Sequence, residues 1–365
     1  MRFSTAVLLL AIALPAAAEE HWDIQYRYRQ ADSTLTINDL TFPDARRGVA
    51  CGYTTDRKEK DHPLVLFTID GGVTWNESPV KEACLSLFFL EDSSGWMVTD
   101  TGIWTTEEGG RTWVKAKSSP AGLLRVWFLN HQHGYAAGRE KHVFETKDGG
   151  ITWSPLPIAA TASGDPLYTT FGDISFSGNM GIISGWNIPP HRGGPDWMEA
   201  SPAQAQRQVP HLSILLETRT GGVTWHTSEA SLFGQITRIS LSPENFGLGL
   251  VEFKDQFDYP SEVYRLDLLT GKNDLVFRQK DRAITDVRVF PGSSRAIVTG
   301  YETTGPVYRS PIPGKLKVLV SDDEITWTEM PVDYRAVAHS AIITGPNDKN
   351  VWIATDTGMI LKLMP

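Results

Sequence analysis

Hydrophobic and polar positions alternate along most of this chain in short runs. Runs such as "LRVWFLN" at 124–130 and "ITDVRVF" at 284–290 are rich in β-branched and aromatic residues. Clusters of Gly, Asn and Asp separate these runs, as they do where strands are joined by turns. The pattern therefore predicts a protein built of short β-strands.

One string recurs along the chain and sets a period. It reads "FTIDGGVTW", "TTEEGGRTW", "ETKDGGITW" and "ETRTGGVTW", ending at Trp75, Trp113, Trp153 and Trp225, and a shortened form "SDDEITW" ends at Trp327. The first three Trp residues are 38 and 40 residues apart. The gap of 72 residues to Trp225 leaves room for one unit with an insertion, and the gap of 102 residues to Trp327 leaves room for two units with a degenerate copy of the string between them. A period near 40 residues is typical of the four-stranded blade of a β-propeller.

Seven such units can be counted from their first strands. These lie at 35–42, 84–90, 124–130, 171–176, 236–241, 284–290 and 336–343. The seventh unit ends at Pro365 without a fourth strand, and residues 21–29 match one, with Trp22 in the place of the repeated Trp. A strand that completes the last blade removes a free sheet edge. We therefore predict an all-β fold: a single seven-bladed β-propeller over residues 19–365, closed by its N-terminal strand, with an insertion loop at 186–211 in blade four.

The recurring string itself is predicted to be structural. An acidic residue before Gly-Gly can accept backbone N–H bonds in a tight turn, Gly adopts backbone angles closed to other residues, and Trp buries a large area. The predicted structural residues are Asp70, Trp75, Glu108, Trp113, Asp148, Trp153, Trp225, Asp323 and Trp327. A catalytic role for the acids is the alternative, but Thr220 replaces the acid in the fourth copy.

The string is similar to the Asp-box, or BNR repeat, of sialidases, some endoglucanases and sortilin-type receptors. The fuller unit "VWFLNHQHGYAAG…VFETKDGGITW" at 126–153 resembles the repeat of the photosystem II stability/assembly factor family, and 87–113 resembles it nearly as well. The resemblance implies a seven-bladed propeller of the WD40/YVTN-like type. It also implies a non-enzymatic assembly role, which the family's plant and cyanobacterial members perform through a basic surface patch.

The first 18 residues have the pattern of a secretory signal peptide. Arg2 supplies the positive start, 6–14 form a short apolar run, and Ala16 and Ala18 make an A-x-A cleavage pattern. We expect cleavage near Ala18 and a periplasmic or secreted protein. The net charge of −9 argues against a general nucleic-acid or anionic-membrane binder. We expect a monomer without membrane insertion.

The chain has two cysteines, Cys51 and Cys84. An exported chain meets oxidising conditions, and the predicted topology places both residues at the same face of neighbouring blades. We predict a disulfide between them; two buried free thiols are the alternative.

Candidate chemistry is expected in the central channel, which the first strand of each blade lines. The predicted ring is Asp39, Ser86, Arg125, Asp173, Arg238, Asp286 and Ser340. One interpretation is a hydrated channel whose charges pair. The other is a carbohydrate-active enzyme or sugar binder of the sialidase or glycosidase kind using Asp39, Asp173 and Asp286, because retaining glycosidases need two carboxylates about 5.5 Å apart. No spacing typical of a metal or phosphate site is present, so we expect no metal and no cofactor.

Loop length indicates a binding surface. Connections between second and third strands share one face of a propeller, and those predicted at 53–64, 186–211, 252–262 and 301–315 are long. Trp, Tyr and Arg are frequent anchors of recognition surfaces. The predicted binding residues are Trp186, His191, Arg192, Trp197, Tyr259 and Tyr301, together with Arg125 and Arg238. The favoured interpretation is a non-enzymatic binding or assembly propeller that recognises a protein or peptide partner of the cell envelope.

Overall fold

The computed structural model describes residues 20–190, 210–253, 259–303 and 313–365. Within these ranges the strands form seven antiparallel sheets, each with four strands in its main path. The sheets are the blades of a propeller, and the predicted fold class is confirmed.

The strands are numbered along the chain. The first strand is β1 (His21–Arg27). Blade 1 contains β2 (Ser33–Thr41), β3 (Gly48–Asp56), β4 (Asp61–Thr68) and β5 (Asn76–Ser78). Blade 2 contains β6 (Cys84–Phe89), β7 (Gly95–Thr99), β8 (Gly102–Thr106) and β9 (Val114–Lys115). Blade 3 contains β10 (Leu123–Phe128), β11 (Gly134–Gly138), β12 (Val143–Thr146) and β13 (Ser154–Pro155).

A short helix α1 (Pro157–Thr161) and a 3-10 turn (Pro166–Tyr168) lead into blade 4. This blade contains β14 (Thr169–Ser177), β15 (Met180–Asn187), β16 (His211–Thr218) and β17 (His226–Leu232). Blade 5 contains β18 (Gln235–Leu241), β19 (Phe246–Glu252), β20 (Ser261–Asp267) and β21 (Asn273–Arg278). Blade 6 contains β22 (Arg282–Val289), β23 (Ala296–Glu302), β24 (Gly314–Ser321) and β25 (Thr328–Met330). Then follow β26 (Val337–Ala338) and the blade 7 strands β27 (Ala341–Asn347), β28 (Asn350–Thr355) and β29 (Met359–Met364).

The N-terminal strand closes the ring as predicted. β1 pairs antiparallel with β29, from His21 opposite Met364 to Arg27 opposite Met359. Trp22 is buried in the apolar cluster that blades 6 and 7 share. The sheet order β1-β29-β28-β27 thus gives blade 7 its fourth strand from the opposite end of the chain.

Two sequence-based placements were wrong. The run at 336–343 holds two elements, because β26 pairs with β24 of blade 6 and the first strand of blade 7 begins only at Ala341. The predicted long loop at 53–64 is largely a hairpin, since β3 and β4 pair up to Thr55 opposite Asp61.

Aromatic stacks join several neighbouring blades. Trp352 of blade 7 stacks on Phe42 of blade 1 at 3.7 Å between ring centroids, and Trp96 of blade 2 stacks on Phe128 of blade 3 at the same distance. Tyr135 of blade 3 and a Phe of blade 4 form a third stack at 5.3 Å. Large buried rings at these joints stabilise the ring of blades through apolar burial and ring geometry.

The recurring string forms the turn between the third and fourth strands, called here the repeat turn. In blade 1 the Asp70 carboxylate accepts the backbone N–H of Thr74 at 2.9 Å and its hydroxyl at 2.6 Å. These hydrogen bonds lower the pKa of Asp70 to about 2. Gly71 and Gly72 have φ of 74° and 91°, in the left-handed region that favours glycine. The geometry is that of a tight structural turn.

The other repeat turns follow the same pattern with local substitutions. Asp148 and Asp323 accept the corresponding bonds in blades 3 and 6, and Glu108 accepts a hydroxyl in blade 2. In blade 4 the hydroxyl oxygen of Thr220 accepts the N–H of Thr224 at 2.8 Å. A hydroxyl can therefore hold the turn where the acid is missing.

The repeat-turn Trp residues pack against aromatic partners. Trp75 and Trp113 make edge contacts with Phe42 and Phe89. The indole N–H groups of Trp113, Trp153 and Trp225 each donate to the second Gly carbonyl of their own turn. Trp327 lies against a Phe of blade 5.

Cys51 on β3 and Cys84 on β6 form a disulfide between blades 1 and 2, with Cα atoms 5.8 Å apart. The cross-link closes a separation of 33 residues. We expect the double variant Cys51→Ala/Cys84→Ala to lose roughly 3–4 kcal/mol of unfolding free energy in guanidinium titration, chiefly because the unfolded chain gains freedom.

The same bond predicts a simple chemical result. Thiol titration of the unfolded, unreduced protein should find no reactive thiol, and titration after reduction is the positive control. Two reactive thiols per chain before reduction would overturn the pairing.

Candidate functional site

The channel is lined by one residue from the first strand of each blade. A register shift in the pairing with the second strand lies directly before Asp39, Ser86, Arg125, Asp173, Arg238 and Asp286. We call the set of these equivalent positions the upper ring; Asp39, Arg125, Asp173, Arg238 and Asp286 line the channel cavity, whereas Ser86 is buried and its hydroxyl donates to the Leu124 carbonyl. Bulges of this kind commonly re-aim a side chain.

The seventh position of the upper ring differs from the prediction. Ser340 is exposed and precedes β27, so it is outside the ring. The backbone N–H of Ile343 donates to Asp286, as the N–H groups of Leu87 and Ile239 donate to Asp39 and Asp173. Ile342, the residue before Ile343, therefore holds the seventh position of the upper ring. Ser340 was misplaced because the first strand of blade 7 was predicted to begin at residue 336, five residues before β27 begins.

The three carboxylates of the upper ring bind backbone groups. Asp39 accepts the N–H of Leu40 at 2.9 Å and, from the next blade, that of Leu87 at 2.8 Å. Asp286 accepts in the same way from Val287 and from Ile343. Each carboxylate thus ties its own blade to the next one.

Asp173 has the same function between blades 4 and 5, because its Oδ2 accepts the N–H of Ile239 at 2.8 Å. A general acid or nucleophile needs an oxygen that faces the substrate. In the described residues these carboxylates are instead engaged by the edges of adjacent blades. The arrangement favours a structural role for Asp39, Asp173 and Asp286 over the glycosidase alternative.

Two arginines of the upper ring lie beside these carboxylates. Arg125 donates to Asp39 at 2.8 Å and lies 3.8 Å from Asp173. Arg238 has its Nε 3.7 Å from Asp286. Burial raises the pKa of Asp286 to about 6 and also raises that of Asp173, although the arginines oppose the shift. The charges of the upper ring therefore pair across blades.

The connections between second and third strands share the opposite end of the channel from the repeat turns. We call this end the loop face and the other the turn face. Trp186 in β15, Tyr259 before β20 and Tyr301 in β23 all lie at the loop-face end of blades 4, 5 and 6. His191, Arg192 and Trp197 lie outside the described residues. The predicted positions are thus distributed over three consecutive blades.

An apolar pocket of about 450 Å³ opens between blades 4 and 5 on this side. Its lining includes Ile182, Leu215, Ile236, Val251 and Phe253. It adjoins the connection of blade 5 that follows β19 and the link between β17 and β18. The volume is in the range typical of ligand and side-chain pockets.

The pocket has a cause in the sequence. The joints between blades 7 and 1, 2 and 3, and 3 and 4 hold stacked rings, whereas this joint has Ile182 and Leu241, which remain 8% exposed. The repeat turn of blade 5, "LDLLTGKND", also lacks a Trp. Aliphatic side chains fill less of the joint than stacked rings do, and a cleft remains. The degenerate copy of the recurring string in blade 5 was the sequence signal for this pocket, but the sequence analysis did not predict a pocket from it.

A polar cluster borders the pocket. Glu262 accepts from the Tyr264 hydroxyl at 2.7 Å and from Arg278 at 3.1 Å. The Arg278 guanidinium lies 4.5 Å from the ring centroid of Tyr259. Burial and Glu262 raise the pKa of Tyr264 to about 12. The pocket therefore combines an apolar interior with an ordered polar rim, as recognition pockets do.

The part of the chain that the structure describes has no group of three or more His, Cys, Asp or Glu side chains that could hold a metal ion. No helix among the same residues has the length and apolar character needed to cross a membrane.

Comparison with known proteins finds one family model that matches part of the chain and solved structures that share its fold. The family model described as photosynthesis system II assembly factor YCF48 matches residues 119–198. The solved structure described as YCF48 bound to D1 peptide is similar to this chain, with a TM-score of 0.61 and 15% identity over 97% of this chain and 100% of that chain. YCF48 from Cyanidioschyzon merolae gives 0.58 and 15%, covering 94% and 99%.

Enzymes share the fold as well. The GH74 xyloglucanase from Xanthomonas campestris gives a TM-score of 0.60 at 9% identity, over 93% of this chain and 53% of that chain. No protein with a curated description matches the chain significantly in sequence. The predicted resemblance is confirmed by the family model over residues 119–198 and by the shared seven-bladed arrangement, and the structural matches establish the fold.

Proposed function

We propose that this chain, a seven-bladed propeller resembling the YCF48 assembly factors, is a non-enzymatic binding protein that holds a peptide segment of a protein partner on its loop face. The observation that carries the proposal is the apolar pocket between blades 4 and 5 with its polar rim. It lies beside Phe253, where the blade 5 connection begins, and beside the link between β17 and β18. A rigid ring that presents a pocket next to long connections is arranged as a binding scaffold.

The related structure adds chemical support. That protein is described as bound to a peptide, which is a ligand of the kind that an apolar pocket with a polar rim can hold. The engagement of the upper-ring carboxylates by backbone N–H groups argues against the alternative of a carbohydrate-active enzyme.

We also propose that the protein works in the periplasm or outside the cell. Residues 1–18 lie outside the described residues, and the support comes from their signal-peptide pattern. Cleavage after Ala18 would keep all of β1, which blade 7 needs. An inter-blade disulfide also suits an oxidising compartment.

Shortening the blade 4 connection is expected to abolish partner capture while the fold remains. Asn187 pairs with Leu212, so residues 189–210 can be replaced by an Asn-Gly turn that continues the hairpin. The tagged mature variant and wild type would be used to capture partners from the native envelope extract, with captured proteins identified by mass spectrometry. Circular dichroism would confirm that both proteins are folded.

A control substitution on the turn face tests whether the loss of capture is specific to the loop face. Val223 is 83% exposed in the repeat turn of blade 4, on the turn face. Val223→Ser should capture the same partners as wild type. Equal capture by the shortened variant would exclude the loop face as the partner site.

A further inference from the structure

A second ring of residues lies in the channel below the upper ring, toward the turn face. Its members are two positions further along each first strand: Thr41, Phe88, Trp127, Ser175, Ser240, Arg288 and Thr344. They line a cavity of about 470 Å³. We call this set the lower ring. Its two sides differ in chemistry.

One side of the lower ring carries hydroxyl groups with protons to donate. The oxygen of Ser175 accepts the N–H of Leu241, that of Ser240 accepts from Val289, and that of Thr344 accepts from Phe42, at 3.3, 3.1 and 3.2 Å. A hydroxyl has one donor and two acceptor sites. Each of these oxygens already accepts one backbone N–H group, so each hydroxyl still has its O–H donor and one acceptor site for a ligand.

Arg288 stands on the same side and lacks a close carboxylate. Among the described residues its Nη2 donates to the Gly345 carbonyl at 3.4 Å, and its Nε has no partner. By contrast Arg125 and Arg238 have carboxylates at 2.8 and 3.7 Å. Burial lowers the pKa of Arg288, and the charge that opposes this effect is Asp286 of the upper ring. A cation in this position is stabilised by an added anion.

The other side of the lower ring is aromatic. Phe88 and Trp127 are half-buried, with ring centroids 5.1 Å apart, and Trp127 lies 6.3 Å from Phe176. These rings line the same cavity as Arg288. A molecule placed there would meet donors on one side and ring faces on the other.

We propose that the lower ring is a binding site for a small organic carboxylate that bears an aromatic or aliphatic group. The carboxylate accepts from Arg288 and from the hydroxyl groups of Ser175, Ser240 and Thr344, and the apolar group packs on Phe88 and Trp127. The cavity volume is that of a small-molecule site. This site is distinct from the loop face and requires no catalytic step.

The first test uses the wild-type mature protein and two matched probes in isothermal titration calorimetry. Indole-3-acetate carries both features, and indole-3-acetamide keeps the ring and the shape but has no charge. Charged hydrogen bonds contribute about 1.5–3 kcal/mol each, so the acid should bind at least about tenfold more tightly than the amide. Acetate, which lacks the ring, should bind more weakly than indole-3-acetate.

The second test changes the arginine. Arg288→Gln removes the charge and leaves a shorter, neutral polar side chain, and should weaken indole-3-acetate binding at least about tenfold while changing indole-3-acetamide binding much less. Arg288→Lys should restore part of the affinity. Arg46→Gln is the matched control, since Arg46 is an exposed residue in the connection between β2 and β3, on the same turn face.

The outcomes decide the proposal separately from the partner site. Equal affinity of acid and amide for wild type, or no binding of the acid up to its solubility limit, would overturn it without any variant. Equal binding by Arg288→Gln and Arg46→Gln would do the same. Partner capture by the loop face is measured independently, so failure of one site leaves the other standing.

Discussion

Deleting residues 19–30 from the mature protein is expected to lower its melting temperature by many degrees. The deletion removes β1, leaves β29 with an unpaired edge, and takes Trp22 out of the cluster that blades 6 and 7 share. Loss of one buried Trp alone costs about 3–5 kcal/mol. Thermal unfolding followed by circular dichroism would measure the shift, and the open edge should also increase aggregation.

A single substitution distinguishes the stability that β1 contributes from the stability of the ion pair next to it. Glu20 forms an ion pair with Arg295, and Glu20→Gln removes that pair but keeps β1. The Glu20 side chain is 39% exposed, and ion pairs at the surface contribute about 1 kcal/mol or less, so this variant should melt far closer to wild type than the deletion does. An unchanged melting temperature after the deletion would contradict closure of the ring by the N-terminal strand.

Asp39→Ala is expected to lose about 3–5 kcal/mol of unfolding free energy. The substitution leaves the partly buried Arg125 without its closest carboxylate and removes the acceptor for the N–H groups of Leu40 and Leu87. Guanidinium titration would measure the loss. Asp100→Ala provides a control on a solvent-exposed acid of the loop face and should stay within about 0.5 kcal/mol of wild type.

The same variant distinguishes structural from catalytic carboxylates. Catalytic residues commonly lie at sites where function is kept at the expense of stability, so replacing one is often neutral or stabilising. A stable Asp39→Ala protein would therefore revive the interpretation of the channel as an enzyme site. A strong loss of stability supports the inter-blade role that the hydrogen bonds indicate.

Local sequence patterns predicted the architecture well because a propeller repeats local information. Period-2 alternation defined the strands, and the recurring DGG string marked a turn whose hydrogen bonds lie within a few residues, as in Asp70 and Thr74. The missing last strand and the match of Trp22 predicted closure of the ring, a contact across the whole chain. Five of the upper-ring residues followed from one strand position counted in each unit, and Asp286 lay one position away from that count.

Prediction failed where a neighbouring element competes for the same residues. The run at 336–343 has strand character throughout, but Val337 and Ala338 pair with β24 of blade 6. Ser340 was therefore assigned to a ring in which Ile342 stands. Likewise the strand register, rather than composition, made 53–64 a hairpin.

The sequence by itself determined the number of blades and the repeat turns, since these depend on spacing and on residues that contact near neighbours along the chain. It also determined the closing strand, because the last unit lacks a fourth strand and residues 21–29 match one. Only the tertiary structure decided what the joints and the channel contain. The pocket between blades 4 and 5 arises because Ile182 and Ile239, far apart in sequence, meet in place of the stacked rings that three other joints hold. The donors and rings of the lower ring come from different blades, and only closure of the propeller brings Arg288 and Trp127 to one cavity.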